Sequence, residues 1–588
     1  MDFHIFPFVL VAIFILHGSC YSHKGSYEFM KDATLAPTMA RFDYIVIGGG
    51  TTGCALAATL SQNARVLVLE RGGSPYENPR AMDIDNFYNT LFNITPDSWS
   101  QPFISEDGVF NVRARVLGGE SVLNAGFYSR AEESFVEKSE WEMEEVEAAY
   151  EWIERKLVFK PQVGGWQSAF RDGLLEAGVL PYNGFTLDHI VGTKIGGTTF
   201  DPAGHKHSAA DLLAYANPHM IDVYLHALVH KIIFTTRGGD QRPKAYGVIY
   251  QDADGVFHKA ELAENAMNEV ILCAGALGSP QLLMLSGVGP KAHLESHGVN
   301  PVVLDLPMVG QGMADNPMNS VFVPSPAPVE MSLVEVVGIP KFHSYIEGLS
   351  RVSLANNLNS RFFDGVLNLL NKTSFSTTSI TNILKSIDLH FMDEMEVDGW
   401  IVTKVDGPLS RGYLELRNKN PDDNPSVTFN YFQEPEDLER CVKGLKTVMK
   451  VIDSNAFSRY KYPNATAREL LNLMLSRPIN LRPRHESALT NLTQFCIDTV
   501  ITIWHYHGGC QVGKVVDKNY KVFGIDSLRV VDGSTFFKSP GTNPQATSLM
   551  LGRYMGQKIL RERNALRKKN EDYSIIKDET NIFSSSSK

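Results

Sequence analysis

The chain of 588 residues has six cysteines and no C-x-x-C pair, so neither a zinc ribbon nor a thioredoxin-type motif is expected. It has no surplus of positive charge: 55 Lys and Arg stand against 66 Asp and Glu, a net of −11. An electrostatic nucleic-acid partner, which calls for a basic face, is therefore excluded. No apolar run reaches the roughly 18 residues of a membrane helix, so no span is expected in the mature chain. The 47 glycines follow no G-X-Y period, which excludes a collagen-like rod, and no internal repeat is evident. Hydrophobic residues at 43% and charged residues at 21% are ordinary globular composition, which excludes disorder of the whole chain. Length alone allows about four domains.

What is present begins with an apolar run over residues 5–16, followed by Gly18, Ser19 and Cys20. Its length and small-residue flank read as a secretory signal peptide over residues 1–22, although no Lys or Arg precedes the run. A secreted, extracellular protein is expected. In that setting the sequons at Asn93, Asn371, Asn464 and Asn491 become glycosylation acceptors. Residues 23–40 read as a polar, mobile lead-in.

The first structural unit follows. Residues 42–47 are a short apolar strand pattern, residues 54–60 an Ala/Leu-rich helix, and residues 65–69 a second strand ending at Glu70. Between the first strand and the helix stands Gly48-Gly49-Gly50-Thr51-Thr52-Gly53, a match to G-x-G-x-x-G. In such a turn Gly48 makes the tight bend, Gly50 admits a pyrophosphate to the backbone, and Gly53 lets helix and strand pack closely. The helix N-terminus offers free N–H groups to the phosphates. A carboxylate at Glu70 suits ribose hydroxyls and repels a 2′-phosphate, so FAD or NAD is expected, not NADP. Further strands are expected at 232–234, 246–250, 269–273 and 528–531, and a helix over 141–156. Residues 320–391 read as loops and short helices, and residues 566–588 as a disordered tail.

Three more blocks carry a family resemblance: residues 113–127 (RARVLGGESVLNAGF), residues 275–289 (GALGSPQLLMLSGVG), and a C-terminal stretch holding WHYHGGC at 504–510 and SPGTNPQ at 539–545. Together with the glycine turn they resemble the glucose–methanol–choline (GMC) oxidoreductases over residues 41–565, and within them the plant branch of HOTHEAD-like proteins and (R)-mandelonitrile lyases. The resemblance implies FAD as cofactor. It also implies an α/β fold: a Rossmann-like FAD-binding domain of discontinuous segments (41–130, 205–316 and 496–565) and an α+β substrate-binding domain with an antiparallel sheet (131–204 and 317–495). Thr51, Thr52, Glu70 and Arg71 would hold the ADP half. Val116 and the backbone of Asn124, Ala125, Gly126 and Phe127 would line flavin and pyrophosphate, and Val229 would meet adenine. Asp532, Gly533, Pro544 and Gln545 would lie near the isoalloxazine. Cys441 and Cys496 match a disulfide of the lyases.

The resemblance places a catalytic histidine at His505 and its partner at Asn543. A histidine can accept a hydroxyl proton at mild pH while a hydride passes to flavin N5. Asn543 can donate a hydrogen bond to the developing alkoxide. The lyases carry His at position 543 and Tyr at position 503, where this chain has Asn543 and Ile503. Oxidation of an alcohol, with long-chain ω-hydroxy fatty acids as the class implied, therefore ranks above cleavage of a cyanohydrin to an aldehyde and HCN, in which FAD would be structural. Trp504 is a candidate for shaping the substrate pocket. His505 and His507 form an H-x-H pair, but no third ligand accompanies them, so no metal is expected. No residue names the electron acceptor.

Overall fold

The structure, a computed structural model, describes residues 27–235, 242–352, 397–477, 479–541 and 543–585, the residues from 568 onward as backbone alone. The expected leader at 1–22 and the sequon at Asn371 lie outside the described residues.

Runs such as Tyr44–Ile47, Val66–Leu69 and Glu269–Leu272 are buried along their whole length, the pattern of parallel strands covered on both faces. They form a six-stranded sheet in the order Met30–Asp32, Ile221–Leu225, Val66–Leu69, Tyr44–Ile47, Glu269–Leu272, Leu528–Val530. Every neighbouring pair in it is parallel. Alternation along the strands splits their side chains between two cores. Tyr44, Val46, Val66 and Val68 pack with the helix Thr51–Leu60 and the helix Gln545–Ser585. Ile45, Ile47, Leu67 and Leu69 pack with Val229, Ile232 and Val248, from a smaller sheet formed by Leu228–Thr235, Lys244–Gln251, Phe257–Leu262 and Met39–Phe42. The two long helices touch closely: a Cβ at Gly552 would stand 2.3 Å from the Thr52 carbonyl oxygen.

A second six-stranded sheet runs Met318–Val323, Val397–Val405, Ser344–Val352, Val336–Ile339, Gly192–Ile195, Tyr182–Phe185. It is antiparallel except for its last pair. The helices Gly165–Glu176 and Pro435–Ile452 cover one face. The disulfide Cys441–Cys496 ties the latter helix to Leu492–Asp498. The other face looks back toward the first sheet across a cavity.

Four expectations change. Within the supposed lead-in, Met30–Asp32 is the edge strand of the first sheet and Met39–Phe42 pairs with Phe257–Leu262, because Phe29 and Met30 find a buried place. Helix Met143–Leu157, assigned with the second sheet, instead buries Val146, Ala149, Tyr150, Ile153 and Leu157 beside the first. An amphipathic stripe states that a partner exists, not which one. Between 320 and 352 the chain forms three strands, Met318–Val323, Val336–Ile339 and Ser344–Val352, with loops between them and no helix; residues 353–391 lie outside the described residues. Buried polar residues in these strands, among them Ser320, Glu347 and Ser350, break the apolar alternation that signals a strand. Residues 566–585 continue the final helix, in a stretch that lacks Gly and Pro. Among the described residues no helix is long and apolar enough to cross a membrane.

Candidate active site

A cavity of ≈ 310 Å³ lies between the carboxyl ends of the first sheet's strands and the free face of the second. Gly48, Glu70, Cys273 and Asp532, each one or two residues beyond a strand, line it, at the position where open α/β sheets bind ligands. Gly50, Thr51, Thr52, Arg71, Val116 and Val229 join this wall, as do Asn124, Ala125, Gly126 and Phe127. Gly533, Pro544 and Gln545 complete it, and Trp504, His505 and Asn543 close one end. Gly53 does not face the cavity. A Cβ there would stand 2.0 Å from the Gly48 carbonyl oxygen, so its part is to seat the helix on the turn.

The glycine turn is shaped for main-chain contact. Gly48 has φ +100°, and a Cβ on it would come 2.5 Å from the Cys273 carbonyl oxygen. The helix Thr51–Leu60 starts at Gly50 with no side-chain cap, which leaves its first N–H groups to an anionic ligand. Gly119, absent from the expected set, faces this start: a Cβ on it would stand 2.8 Å from Gly50 Cα. Glu70 braces the turn, accepting from Gly49 N (2.9 Å) and Gly72 N (2.8 Å). Burial raises its pKa, against the pull of these N–H groups and Arg71. Arg71 donates to Gln101 (2.7 Å) and the Ala114 carbonyl (3.0 Å). Asp532 accepts from Gly275 N (3.0 Å), Ser279 Oγ (2.5 Å) and Ser534 N (2.8 Å), joining the last strand to the helix Gly275–Leu285. At the far end Asn124 Nδ2 donates to Gln545 Oε1, and Gln545 Nε2 is buried without a partner among the described residues. Glycine-cleared backbone, uncapped helix N–H groups and an orphaned buried amide suit a long, anionic, polar-edged group such as FAD.

At the other end His505 is buried. Its backbone N donates to Asp315 Oδ1 (2.8 Å), and Nδ1 lies 3.2 Å from Asn316 Nδ2. Asp315 Oδ2 accepts from Tyr431 Oη (2.6 Å) and Thr502 Oγ1 (2.7 Å). Thr502 Oγ1 in turn accepts from Trp504 N (2.8 Å). This frame holds Trp504 at φ +59°, a left-handed conformation that costs a bulky residue about 1–3 kcal/mol. Burial, with the Lys404 charge adding to it, holds the pKa of His505 well below the ordinary histidine value, which favours the uncharged ring. Asn543 Oδ1 accepts from Lys404 Nζ (3.0 Å), which also pairs with Glu347 (2.9 Å). Around this pair the wall is apolar: Met318, Val402 and Ile503 form one cluster, with Leu349, Val334 and Trp400 beside it.

Asp315, Asn316, Glu347 and Lys404 carry no motif that singles them out in the sequence. His507 faces away from the cavity, its Nδ1 2.9 Å from the His505 carbonyl oxygen, and burial pushes its pKa down to about 3. Among the described residues no group of three His, Cys, Asp or Glu could hold a metal ion. Asn93, Asn464 and Asn491 are exposed.

Two profiles described as GMC oxidoreductase match residues 42–318 and 408–552. The chain is 50% identical over 559 residues to the protein HOTHEAD of Arabidopsis thaliana, covering 94% of this chain and 92% of that one. It is 46% identical over 566 residues to an Arabidopsis thaliana protein named (R)-mandelonitrile lyase-like, covering 94% and 97%. It is 45% identical over 564 residues to sinalpyl alcohol oxidase Nec3 of Nesocodon mauritianus, covering 94% and 95%. The fold matches a solved structure of Aspergillus oryzae formate oxidase, described for its FAD modification, with a TM-score of 0.68 at 18% identity over 90% of this chain and 100% of that one.

Proposed function

The chain belongs to the GMC oxidoreductase family, FAD is its cofactor, and from that premise we propose that it oxidises an alcohol to a carbonyl with His505 as base and Asn543 as donor to the substrate oxygen. One observation carries the reading: a buried His505 and an Asn543 tied back through its oxygen meet at the apolar end of the cavity whose other end fits FAD. Bound FAD supplies the two-electron acceptor for the carbinol hydride.

The chain's own residues do the rest. With Asn316 against Nδ1, Nε2 of His505 is the ring nitrogen left for the hydroxyl proton. Both neighbours of that amide edge, the ring nitrogen and the Ser539 hydroxyl, can donate or accept. The amide can therefore present its oxygen and keep the ring proton on Nδ1. Asn543 Nδ2 meets the oxygen as negative charge grows. The apolar wall of Met318, Val402 and Ile503 excludes water and suits an alkyl or aryl alcohol, including the end of a long-chain ω-hydroxy fatty acid. Thr51, Thr52, Glu70, Arg71, Val116, Val229, Asp532, Gly533, Pro544, Gln545 and residues 124–127 hold FAD in this reading. The first sheet is the cofactor half and the second the substrate half. Export through the leader at residues 1–22, with glycans on the exposed Asn93, Asn464 and Asn491, completes it; enzymatic deglycosylation would lower the apparent mass of the exported chain.

Cyanohydrin cleavage is the second reading. The Asn543 amide at the cavity wall, backed by the Lys404 ammonium at its oxygen, favours it, since departing cyanide needs a polarised hydrogen-bond donor. Anaerobic mixing of the oxidised holoprotein with cinnamyl alcohol and with mandelonitrile separates the two. Bleaching of the flavin band by the alcohol is expected; cyanide release from mandelonitrile without bleaching by any alcohol would overturn the primary reading.

A further inference from the structure

Lys404 stands behind the cavity wall, its side chain fully enclosed. It lies on the strand Val397–Val405, whose Trp400 and Val402, at the same parity, line the cavity. Its ammonium has three partners: Glu347 Oε1 at 2.9 Å, Asn543 Oδ1 at 3.0 Å, and the face of Tyr345 at 4.4 Å from the ring centroid. Glu347 and Asn543 face the cavity; Lys404 itself does not. It is not placed to touch substrate, and the carboxylate of Glu347 neutralises it, so it is more than a stray buried charge.

An asparagine amide is nearly symmetric in shape and offers an acceptor on one edge and two donors on the other. A site that must stabilise a developing alkoxide needs the donor edge. If the amide turned over, oxygen lone pairs would oppose the new negative charge. A lysine ammonium has donors and no acceptor, so only Oδ1 can rest against it. That contact leaves Nδ2 on the cavity side, and the adjacent positive charge polarises the amide so that its N–H groups donate more strongly.

We propose that Lys404 is a positioning residue that fixes the orientation of Asn543, with Glu347 anchoring the lysine, so that the amide presents its N–H edge to the substrate oxygen. This rests on the role given above to Asn543, and the same lock serves either reaction, because an alcohol and a cyanohydrin both present a hydroxyl oxygen there.

The test is a double-mutant cycle on the FAD-loaded full chain, with rates read as flavin reduction by cinnamyl alcohol and cyanide release from mandelonitrile. Lys404→Met alone strands the Glu347 carboxylate in the core, so Lys404→Met/Glu347→Gln, which removes both charges, is measured beside it. Loss of one oriented donor predicts a fall of about tenfold to a few hundredfold in the rate for the lysine variants and for Asn543→Ala. Because the lysine acts through the amide, adding Lys404→Met/Glu347→Gln to Asn543→Ala is expected to cost no more than about threefold further. A purely structural role gives the full loss again in the Asn543→Ala background, and that multiplicative result overturns the inference. If the wild type cleaves mandelonitrile but no alcohol reduces its flavin, the primary reading fails while the cycle still judges the lysine. A wild-type holoprotein inert in both assays refutes both.

Discussion

Asp315→Ala is expected to disable the histidine turn without removing any side chain of the cavity wall, because Asp315 does not line the cavity. The carboxylate receives Tyr431 Oη at 2.6 Å, Thr502 Oγ1 at 2.7 Å and His505 N at 2.8 Å. Losing three hydrogen bonds to one buried acceptor costs about 3–5 kcal/mol, allowing for their non-additivity. The same bonds hold the left-handed Trp504. Once they are gone, relaxation of that backbone moves His505, and a displacement of about 1 Å costs about a hundredfold in rate. Asp315→Asn is the control. Its oxygen can still accept from His505 N, and its amide N–H groups can face the two hydroxyls, which rotate to accept. A stability loss within about 1.5 kcal/mol and a rate within about tenfold of wild type are expected for it. Burial pushes the Asp315 carboxyl up to about 6, so in the wild type one acceptor is lost as pH falls through that value. Asp315→Asn should flatten the corresponding acid limb. The assay is anaerobic stopped-flow reduction of the flavin by cinnamyl alcohol from pH 5 to 8, paired with denaturant melts. If Asp315→Ala reduces its flavin at the wild-type rate, or if Asp315→Asn falls as far as Asp315→Ala, the frame does not place the histidine.

Burial pushes Glu120 up to about 7 from 4.5, against the Ala114 N–H, Arg71 and Arg113. Between those values the folded chain keeps a proton that the unfolded chain releases, so stability falls as pH rises through the window, by about 3 kcal/mol in total. Glu120→Gln removes that loss. The free-energy gap between variant and wild type, from urea melts at fixed FAD, should grow by this amount in the variant's favour from pH 4.5 to 7, and a gap that stays flat refutes the assignment. Gly48→Ala, strained at φ +100° and 2.5 Å from the Cys273 carbonyl oxygen, should purify with little FAD; a wild-type ratio of absorbance at 450 nm to 280 nm would show that the turn tolerates the methyl group. Cys441→Ser/Cys496→Ser opens a loop with a sequence separation of 55, which predicts a stability loss of about 4 kcal/mol with flavin reduction unchanged, and an unchanged denaturation midpoint would refute it.

What the sequence disclosed and what it hid divide along main chain and side chain. Where a ligand is to meet the backbone, the chain must clear side chains out of the way, and only glycine does so. Gly48, Gly50 and Gly53 are legible for that reason, and so is the strand–helix–strand unit around them. The helix Met143–Leu157 was legible by its apolar stripe, yet its partner was not, because a stripe is blind to what it packs against. Asp315, Asn316, Glu347 and Lys404 act through side chains brought together by pairing between distant strands. Tyr345 sits opposite Lys404, and Glu347 opposite Val402, in an antiparallel register across more than fifty residues that no local spacing encodes. Glu347 and Lys404 also break the alternation by which a strand is recognised, so residues that would orient the proposed catalytic pair conceal the very strands that carry them. The consequence reaches beyond this chain: where Asn replaces His beside a flavin, the ring's fixed edge is exchanged for an amide that could face either way, and the compensating lock should be sought on a neighbouring strand among buried cations, not in the signature block that holds the asparagine.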